Sequence, residues 1–499
     1  MLSKSKYCAF VQCPKKLWLG VNKPELAAAD PSADDRMEKG NVIGDLAMRL
    51  FGDFVEVTAY KADGTLDLSK MIADTAALMK QNTPVICEAS FSYNGDYCAV
   101  DILKREGDGY AIYEVKSSTG AKEIYITDIS YQKYLLEHSG VKVSGTYLVC
   151  INSDYVFDGV LNLRELFDVI DVSAEVENEI DSVGTNLPIA HRVLAKDHEP
   201  KIDLFSGCRD PYPCAFWGHC SSHLPSPSVF DLYGSGFSFA KKLSYYKSGV
   251  ISFEDTANND DIMKTPIRSL QITHELGDLE THIDTEGIRA FLDTLRYPLY
   301  FLDFETMQTV IPEFVGTKPY AQIPFQYSLH YLDSDGGELQ HKEFLAISGE
   351  DPRRAIAERL CADIPRDVCV LAYNKGFECG RIRELAAFFP DLADHLLNIA
   401  SNVKDLIDPF RAGYYYNRRM GGSFSIKSVL PAIYPNDPSL DYHNLEGVHN
   451  GGEAMAIFPR IKDMAPDEQA AARHSLLKYC ELDTYAMVKV WQELVRVSK

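Results

Sequence analysis

The apolar positions of this chain change period several times, and each change marks an element. In a strand, residues two apart share a face, so in FLDFETM Asp303 and Glu305 project together while Leu302 and Phe304 enter the core. Near the C-terminus, YCELD lies in a helical pattern that continues through VKVWQELVRV. Residues four apart on a helix share a face, so Tyr479 and Asp483 project together there. Between these two pieces, VCVLAYNKGFECGRIRELAAFFP reads as a strand that breaks at Asn374 and Gly376 and then enters a helix, with Glu378 at the junction.

The first half of the chain alternates strand-like and helix-like segments. YCAVDILKREGDGYAIYEVKSST predicts a hairpin: Asp101 ends one run, a GDG turn follows, and Glu114 and Lys116 lie two apart in the next run. ITDISYQKYLLEHSG predicts a helix with Asp128 and Gln132 on one face, and Glu88 in VICEASFSY lies upstream. A cysteine-containing loop and the breaker-rich LPSPSVF close this part. Segments such as FSFAKKLSYYKSG and DTEGIRAFLDTL then read as mainly helical, and a new α/β pattern starts at YPLYFLDFETM. The expected domains are 1–225, a helical connector 226–295, and 296–499, with no internal repeat or low-complexity tract.

A chain of 499 residues exceeds the size at which one hydrophobic core keeps growing, which agrees with several domains. No stretch reads as a transmembrane helix, and the N-terminal apolar run is broken by Gln12, Pro14, Lys15 and Lys16. A cytoplasmic protein with no membrane partner is expected. In that setting the 12 cysteines read as thiols or metal ligands rather than disulfides. The formal net charge of −22 argues against a protein that coats nucleic acid nonspecifically, because Lys and Arg dominate such binding. It leaves room for a nuclease, whose acidic centre is neutralised in part by its own cations.

The clustered acids near the C-terminus carry a specific chemistry. Hydrolysing a phosphodiester near neutral pH needs an activated water and a stabilised leaving oxygen. Two divalent ions held by carboxylates supply both, and hard oxygen ligands suit Mg²⁺ or Mn²⁺. In order, the three pieces DxE, an Asn followed by an aromatic–acid pair, and YxxxD resemble the motifs of the DEDDy branch of RNase H-like 3′-to-5′ exonucleases. That group includes polymerase proofreading domains and some RNA-trimming enzymes. The resemblance implies that Asp303, Glu305, Glu378 and Asp483 hold the metal ions, with Asp303 between them, and that Tyr479 orients the attacking water. The second motif normally ends in Asp, whereas this chain has Glu378.

Downstream, AGYYYNRRMGGSFSIKSVLPAIYP joins Tyr414, Tyr415 and Tyr416 to Arg418, Arg419 and Lys427. Aromatic rings stack on bases and cations meet phosphates, so Tyr415, Arg418, Arg419 and Lys427 are candidate nucleic-acid contacts. The same segment reads equally as a turn with its tyrosines in the core and its arginines in solvent. Asp405 in VKDLIDPF either supports the site or merely follows a strand.

In the first half, Asp101 and Glu114 are candidate ligands of a divalent ion, and Lys116 would position water or stabilise phosphate charge. With the helix that follows, this set resembles the PD-(D/E)XK fold of RecB-family nucleases, including the CRISPR-associated exonucleases, and Gln132 stands for the glutamine of their helical motif. The histidine common on the first helix of that family is missing, since MEKGNVIGDLAMRLF offers Gly40 and Gly44, and Tyr134 follows Gln132 by only two residues.

Four cysteines bracket these motifs: Cys13 in QCPKKLW, then Cys208, Cys214 and Cys220 in CRDPYPCAFWGHC. Iron–sulfur members of the RecB-like family similarly use one N-terminal and three C-terminal cysteines, which implies a 4Fe–4S cluster that staples the ends of the domain. Zinc is the alternative, with His219 and His223 nearby, and Cys8 could substitute for Cys13.

The expected fold class is α/β: an N-terminal PD-(D/E)XK restriction-endonuclease-like domain and a C-terminal RNase H-like domain joined by a helical connector. The whole resembles an uncharacterised bacterial family with this fusion. The expected function is divalent-metal-dependent cleavage of nucleic acid, with single-stranded DNA ends preferred over RNA, in repair or in defence against foreign DNA. The alternatives are a catalytically degenerate scaffold that binds nucleic acid or protein, and an RNA-processing exoribonuclease.

Overall fold

The computed structural model describes residues 1–30, 33–234 and 236–499, and the chain is a mixed α/β protein with several sheets. It divides into two compact units, Met1–His223 with Thr309–Ala321, and Leu224–Gln308 with Gln322–Lys499.

The first unit is built on a six-stranded sheet in chain order: β1 (Val55–Glu56), β2 (Val85–Tyr93), β3 (Asp96–Glu106), β4 (Gly109–Lys116), β5 (Val143–Ile151) and β6 (Phe167–Asp171). Two tight hairpins set its register. Asn94 and Gly95, with φ of 50° and 84°, turn β2 into β3, the left-handed pair that such a turn demands. Gly107, at φ 61°, helps turn β3 into β4. The helix Glu123–His138 then carries the chain over to β5, which lies parallel to β4.

Both faces of the sheet are covered, and alternate residues feed different cores. Ile86, Leu103 and Ile112 pack with Tyr7, Trp18, Tyr131 and Leu135, whereas Val85, Ile102 and Ala111 pack with Ile43, Leu166 and Phe167. The second of these cores includes Val310, from the segment Thr309–Ala321, and Gly316 N donates to the Phe157 carbonyl at 2.8 Å. That segment was expected in the domain 296–499; its apolar side chains instead complete the core of the first unit.

The second unit contains β7 (Thr281–Ile283), β8 (Leu299–Met307), β9 (Ile323–Leu332), β10 (Gln340–Leu345), β11 (Cys369–Ala372), β12 (Val403–Asp405) and β13 (Tyr415–Asn417). Five of these form a sheet in the order β10-β9-β8-β11-β12, antiparallel from β10 to β8 and parallel from β8 to β12. β8 is therefore central. Leu302 and Phe304, 0% and 4% exposed, pack with residues of the helices Arg353–Asp363, Gly376–Phe388 and Ala393–Ser401, as the alternation predicts.

Phe301, on the opposite face, meets Trp491 of the C-terminal helix Pro466–Ser498 edge-on at 5.8 Å. Full burial contributes about 1.5–3 kcal/mol for each such side chain, which holds β8 in one register. The C-terminal helix begins with Pro466, Asp467 and Glu468, residue types favoured at a helix start. It is clamped to the sheet where Gln326 Nε2 donates to the Leu476 carbonyl at 2.8 Å and Arg473 donates to the Ala346 carbonyl at 2.7 Å.

The expected connector 226–295 falls within the second unit. It has a small core of its own around Val229, Phe253 and Ile272, and its strand β7 pairs with β13. Among the described residues, no helix is long and apolar enough to cross a membrane.

Candidate active site

β8 and the C-terminal helix meet at three acids. Carboxylate oxygens of Asp303, Glu305 and Asp483 all lie within 4.8 Å of one another, and Glu305 and Asp483 are 7% and 9% exposed. The strand pleat puts the first two on one face, and the helix supplies the third from its middle.

Crowding charges in a buried place makes them resist ionisation. Burial, then Asp483, Glu305 and Glu378, push the Asp303 carboxyl well above its usual range. Burial followed by Asp483 raises Glu305 to about 8. Asp483 rises only to about 6, because the Tyr442 hydroxyl donates to its Oδ1 at 2.7 Å and Lys427 adds positive charge. Glu378 is 3% exposed and is raised to about 8, mainly by burial. Its Oε2 is buried with no hydrogen-bond partner among the described residues. It is not one of the three oxygens within 4.8 Å of one another, but its charge acts on Asp303.

Asp405 holds the turn that aims Glu378. Its two oxygens accept from the backbone N–H groups of Asn374, at 2.8 Å, and Lys375, at 3.2 Å, just before the helix Gly376–Phe388. Asn374 has φ 68°, a left-handed conformation that this bonding stabilises. Arg411 caps the arrangement by donating to Asn374 Oδ1 at 2.9 Å.

Tyr479 and Lys427 face each other: the ammonium donates to the phenol oxygen at 3.3 Å and lies 5.3 Å from that ring and 5.0 Å from the Tyr442 ring. Burial and the neighbouring carboxylates keep the Tyr479 phenol protonated. Lys427 and Tyr442 also line a cavity of about 1140 Å³ shared with Tyr434, His443, His449 and Asn450. Tyr442 was missed in the sequence because it sits in a three-residue turn, Tyr442–Asn444, where no periodicity announces it.

The remaining candidate strand contacts divide: the tyrosines follow the core reading, and the arginines are partly exposed in surface ion pairs. Tyr415 is 3% exposed, packs edge-on against Phe410 at 5.5 Å and belongs to β13, so neither face of its ring is free for a base. Tyr416 is 2% exposed, and Tyr414 lies over Gly287, where any side chain would collide with its ring. Arg418 and Arg419 are engaged with Asp278 and Glu280.

In the first unit, the hairpin and the following helix bring together Asp101, Glu114, Lys116, Asp128 and Gln132. Lys116 Nζ donates to Glu114 Oε1 at 2.6 Å and to Asp128 Oδ2 at 2.8 Å. Gln132 Nε2 donates to Glu114 Oε2 at 2.8 Å and to Asp128 Oδ1 at 3.1 Å. Lys4, on the helix Lys4–Gln12, was not foreseen: its ammonium reaches Asp101 Oδ1 at 3.3 Å and Glu114 Oε1 at 2.9 Å. Glu88 is left out of the pairing between β2 and β3 opposite Asp101, has φ 55°, and is raised to about 7 by burial and then by Asp101.

The four expected cluster cysteines are neighbours. Cys13 has Cys214 among the groups acting on it, and Cys220 has Cys214, Cys208 and Cys13. Gln12 ties the N-terminal helix to this loop by donating to the carbonyls of Gly207 and Tyr212, both at 2.8 Å. Cys8 instead has Asp128, Lys116, Glu114 and Lys4 around it. His219 is bonded to Glu199 at 2.9 Å, and His223 to the Cys220 carbonyl at 3.0 Å.

Residues 300–425 match a family described as a domain of unknown function, DUF2779. This span holds Asp303, Glu305, Glu378 and Asp405 and stops just short of Lys427. The chain is also similar to an uncharacterized protein of Ureaplasma parvum serovar 3, 26% identical over 213 residues. That match takes in 38% of this chain and spans 30% of the length of the relative.

Proposed function

We propose that this protein is a divalent-metal-dependent nuclease whose second unit, of RNase H-like type, trims single-stranded nucleic acid from the 3′ end, DNA in preference to RNA. One observation carries the reading: Asp303, Glu305 and Asp483, remote in the chain, converge with their oxygens within 4.8 Å. The donor set fits Mg²⁺ or Mn²⁺, because it is all hard oxygen and the carboxylates are raised by burial first and, for Asp303 and Glu305, by their acidic neighbours, which Lys427 only partly offsets. Asp303, Glu305 and Asp483 would hold the metal, with Glu378 at the margin. A bound divalent ion would make water more acidic and stabilise the departing 3′ oxygen.

The residues of the chain have distinct parts in this reading. Tyr442 fixes the orientation of Asp483 through its 2.7 Å bond. Tyr479 stays a hydrogen-bond donor rather than a base, since its phenol is held protonated, and it orients the attacking water. Lys427 brings positive charge to the scissile phosphate from the wall of the adjoining cavity, which receives the strand end. Water adds to phosphorus, the bond to the 3′ oxygen breaks, and a 5′-mononucleotide leaves a new 3′-hydroxyl behind.

The first unit is read as a PD-(D/E)XK domain with Asp101, Glu114, Lys116 and Gln132 at its centre and a 4Fe–4S cluster on Cys13, Cys208, Cys214 and Cys220. The four cysteines lie close enough to act on one another's charge, Cys220 having Cys214, Cys208 and Cys13 among its neighbours, and thiolates are the usual ligands of such a cluster, with zinc as the alternative.

End-labelled single strands of DNA and RNA of identical sequence, incubated with Mg²⁺ or Mn²⁺, test the reading. Shortening from the 3′ end, faster on DNA and abolished in Asp303→Ala, is expected; shortening that persists in that variant overturns it. Anaerobically purified protein is expected to carry iron and sulfide, and stoichiometric zinc without either rejects the cluster.

A further inference from the structure

The two carboxylate centres differ in whether they already hold a cation. At the C-terminal centre, Glu378 Oε2 has no donor among the described residues, and Asp303, Glu305 and Asp483 repel one another. At the N-terminal centre every carboxylate oxygen of Asp101, Glu114 and Asp128 accepts a hydrogen bond. Glu114 Oε1 accepts from Lys4 and Lys116, and Oε2 from Gln132 and Lys4. Asp101 Oδ1 accepts from Lys4, and Oδ2 from the Val115 N–H at 2.8 Å. Asp128 is bonded to Gln132 and Lys116.

We propose that Lys4 is the resident cation of the N-terminal centre: its ammonium occupies the seat between Asp101 and Glu114, so this pair takes no divalent ion while Lys4 is in place. The residues as arranged do not fit a metal there. An ion coordinated at about 2.0–2.6 Å needs oxygens whose lone pairs are free, and those facing the space between the two acids point at Nζ.

Lys4 is not a loose surface side chain that happens to fall nearby. Leu2, two residues earlier, is 0% exposed, its N–H donates to Asp96 Oδ1 at 2.9 Å, and its carbonyl accepts from the Tyr131 hydroxyl at 3.1 Å. Ser3 caps the helix by accepting from the Lys6 N–H. The start of the helix is thus pinned both to β3 and to the helix Glu123–His138, and Lys4 is delivered to the acids by a fixed backbone. Two ammonium groups, Lys4 and Lys116, offset the three acids in part: Glu114 is held well below the usual carboxylate range despite its burial, while burial and then Glu114 raise Asp101 to about 6 and push Asp128 up as well. Lys4 has this role only if Asp101 and Glu114 are the acids that would bind metal in this unit, and the C-terminal reading does not enter into it.

The test is Mn²⁺ binding, followed by electron paramagnetic resonance, in the full chain carrying Asp303→Ala and Asp483→Ala, so that the C-terminal centre is silent. With Lys4 intact, no Mn²⁺ binding that depends on Asp101 is expected in the micromolar range. Adding Lys4→Met should open a site at least about tenfold tighter, equivalent to 1.4 kcal/mol, that a further Asp101→Asn change removes. Lys4→Arg, which keeps the charge, should stay closed. The proposal is overturned by Asp101-dependent Mn²⁺ binding with Lys4 present, or by a folded Lys4→Met chain that gains none. If Lys4→Met does not fold, the titration with Lys4 intact decides alone. Loss of Mn²⁺ binding from the chain with an unaltered C-terminal centre on Asp303→Ala concerns only that centre, so the two readings fail separately.

Discussion

Tyr442 is the clearest case of one hydroxyl setting the state of an acid. Its bond to Asp483 Oδ1 helps keep that carboxyl near about 6, while Glu305 alongside is driven to about 8. A hydrogen bond to a charged group contributes about 1.5–3 kcal/mol. In Tyr442→Phe, Asp483 should therefore hold its proton to higher pH, and the acid limb of the activity–pH profile should move upward with roughly a tenfold loss of rate at neutral pH. A different outcome is expected for Asp303→Asn. That change removes a carboxyl that burial and three neighbouring acids destabilise when ionised. It should abolish trimming while stabilising the metal-free protein by about 1 kcal/mol, seen as a higher Tm.

At the scale of elements, the turn between β11 and the helix Gly376–Phe388 shows how a remote carboxylate can position a site. Asp405, at the end of β12, satisfies two backbone donors of that turn. Asp405→Ala should cost about 1–2 kcal/mol, as for loss of a cap, and should weaken Mn²⁺ binding through displacement of Glu378, which a calorimetric titration would register. The pleat of β8 and the helical spacing of Tyr479 and Asp483 were legible in the sequence because each is a local periodicity. Lys4 and Tyr442 were not, since a helix start and a three-residue turn carry no period, and their partners lie far along the chain. Tyr415 was left between two readings for a related reason. A tyrosine beside arginines has the same local pattern in a binding loop and in a strand, and only the pairing of β13 with the distant β7 puts its ring in the core.

For the molecule as a whole, the raised acids predict how stability follows pH. Glu305, Glu378 and Asp483 keep their protons in the folded state to about 8, 8 and 6, above the unfolded values near 4. The folded protein thus binds more protons through that window, and its stability falls as pH rises from about 4 to 8. A carboxyl that gives up its proton one pH unit later when folded than when unfolded lowers stability by about 1.4 kcal/mol across that interval, so the metal-free protein should melt lower at pH 8.5 than at pH 6. Mn²⁺ should raise Tm more at the higher pH, and Glu305→Gln should flatten the dependence. The assignment of Thr309–Ala321 to the first unit was beyond the sequence, because nothing local marks an excursion whose apolar residues belong to another core. Lineages that lengthen this chain face an uneven tolerance near the acids. Pairing of β8 with β9 is regular up to Glu305 and slips between Glu305 and Thr306. One residue inserted ahead of Asp303 would turn both acids inward and offer phenylalanine in their place, whereas an insertion beyond Thr306 meets a ladder that is already irregular. Inherited length changes should accumulate after this strand and be purged within it.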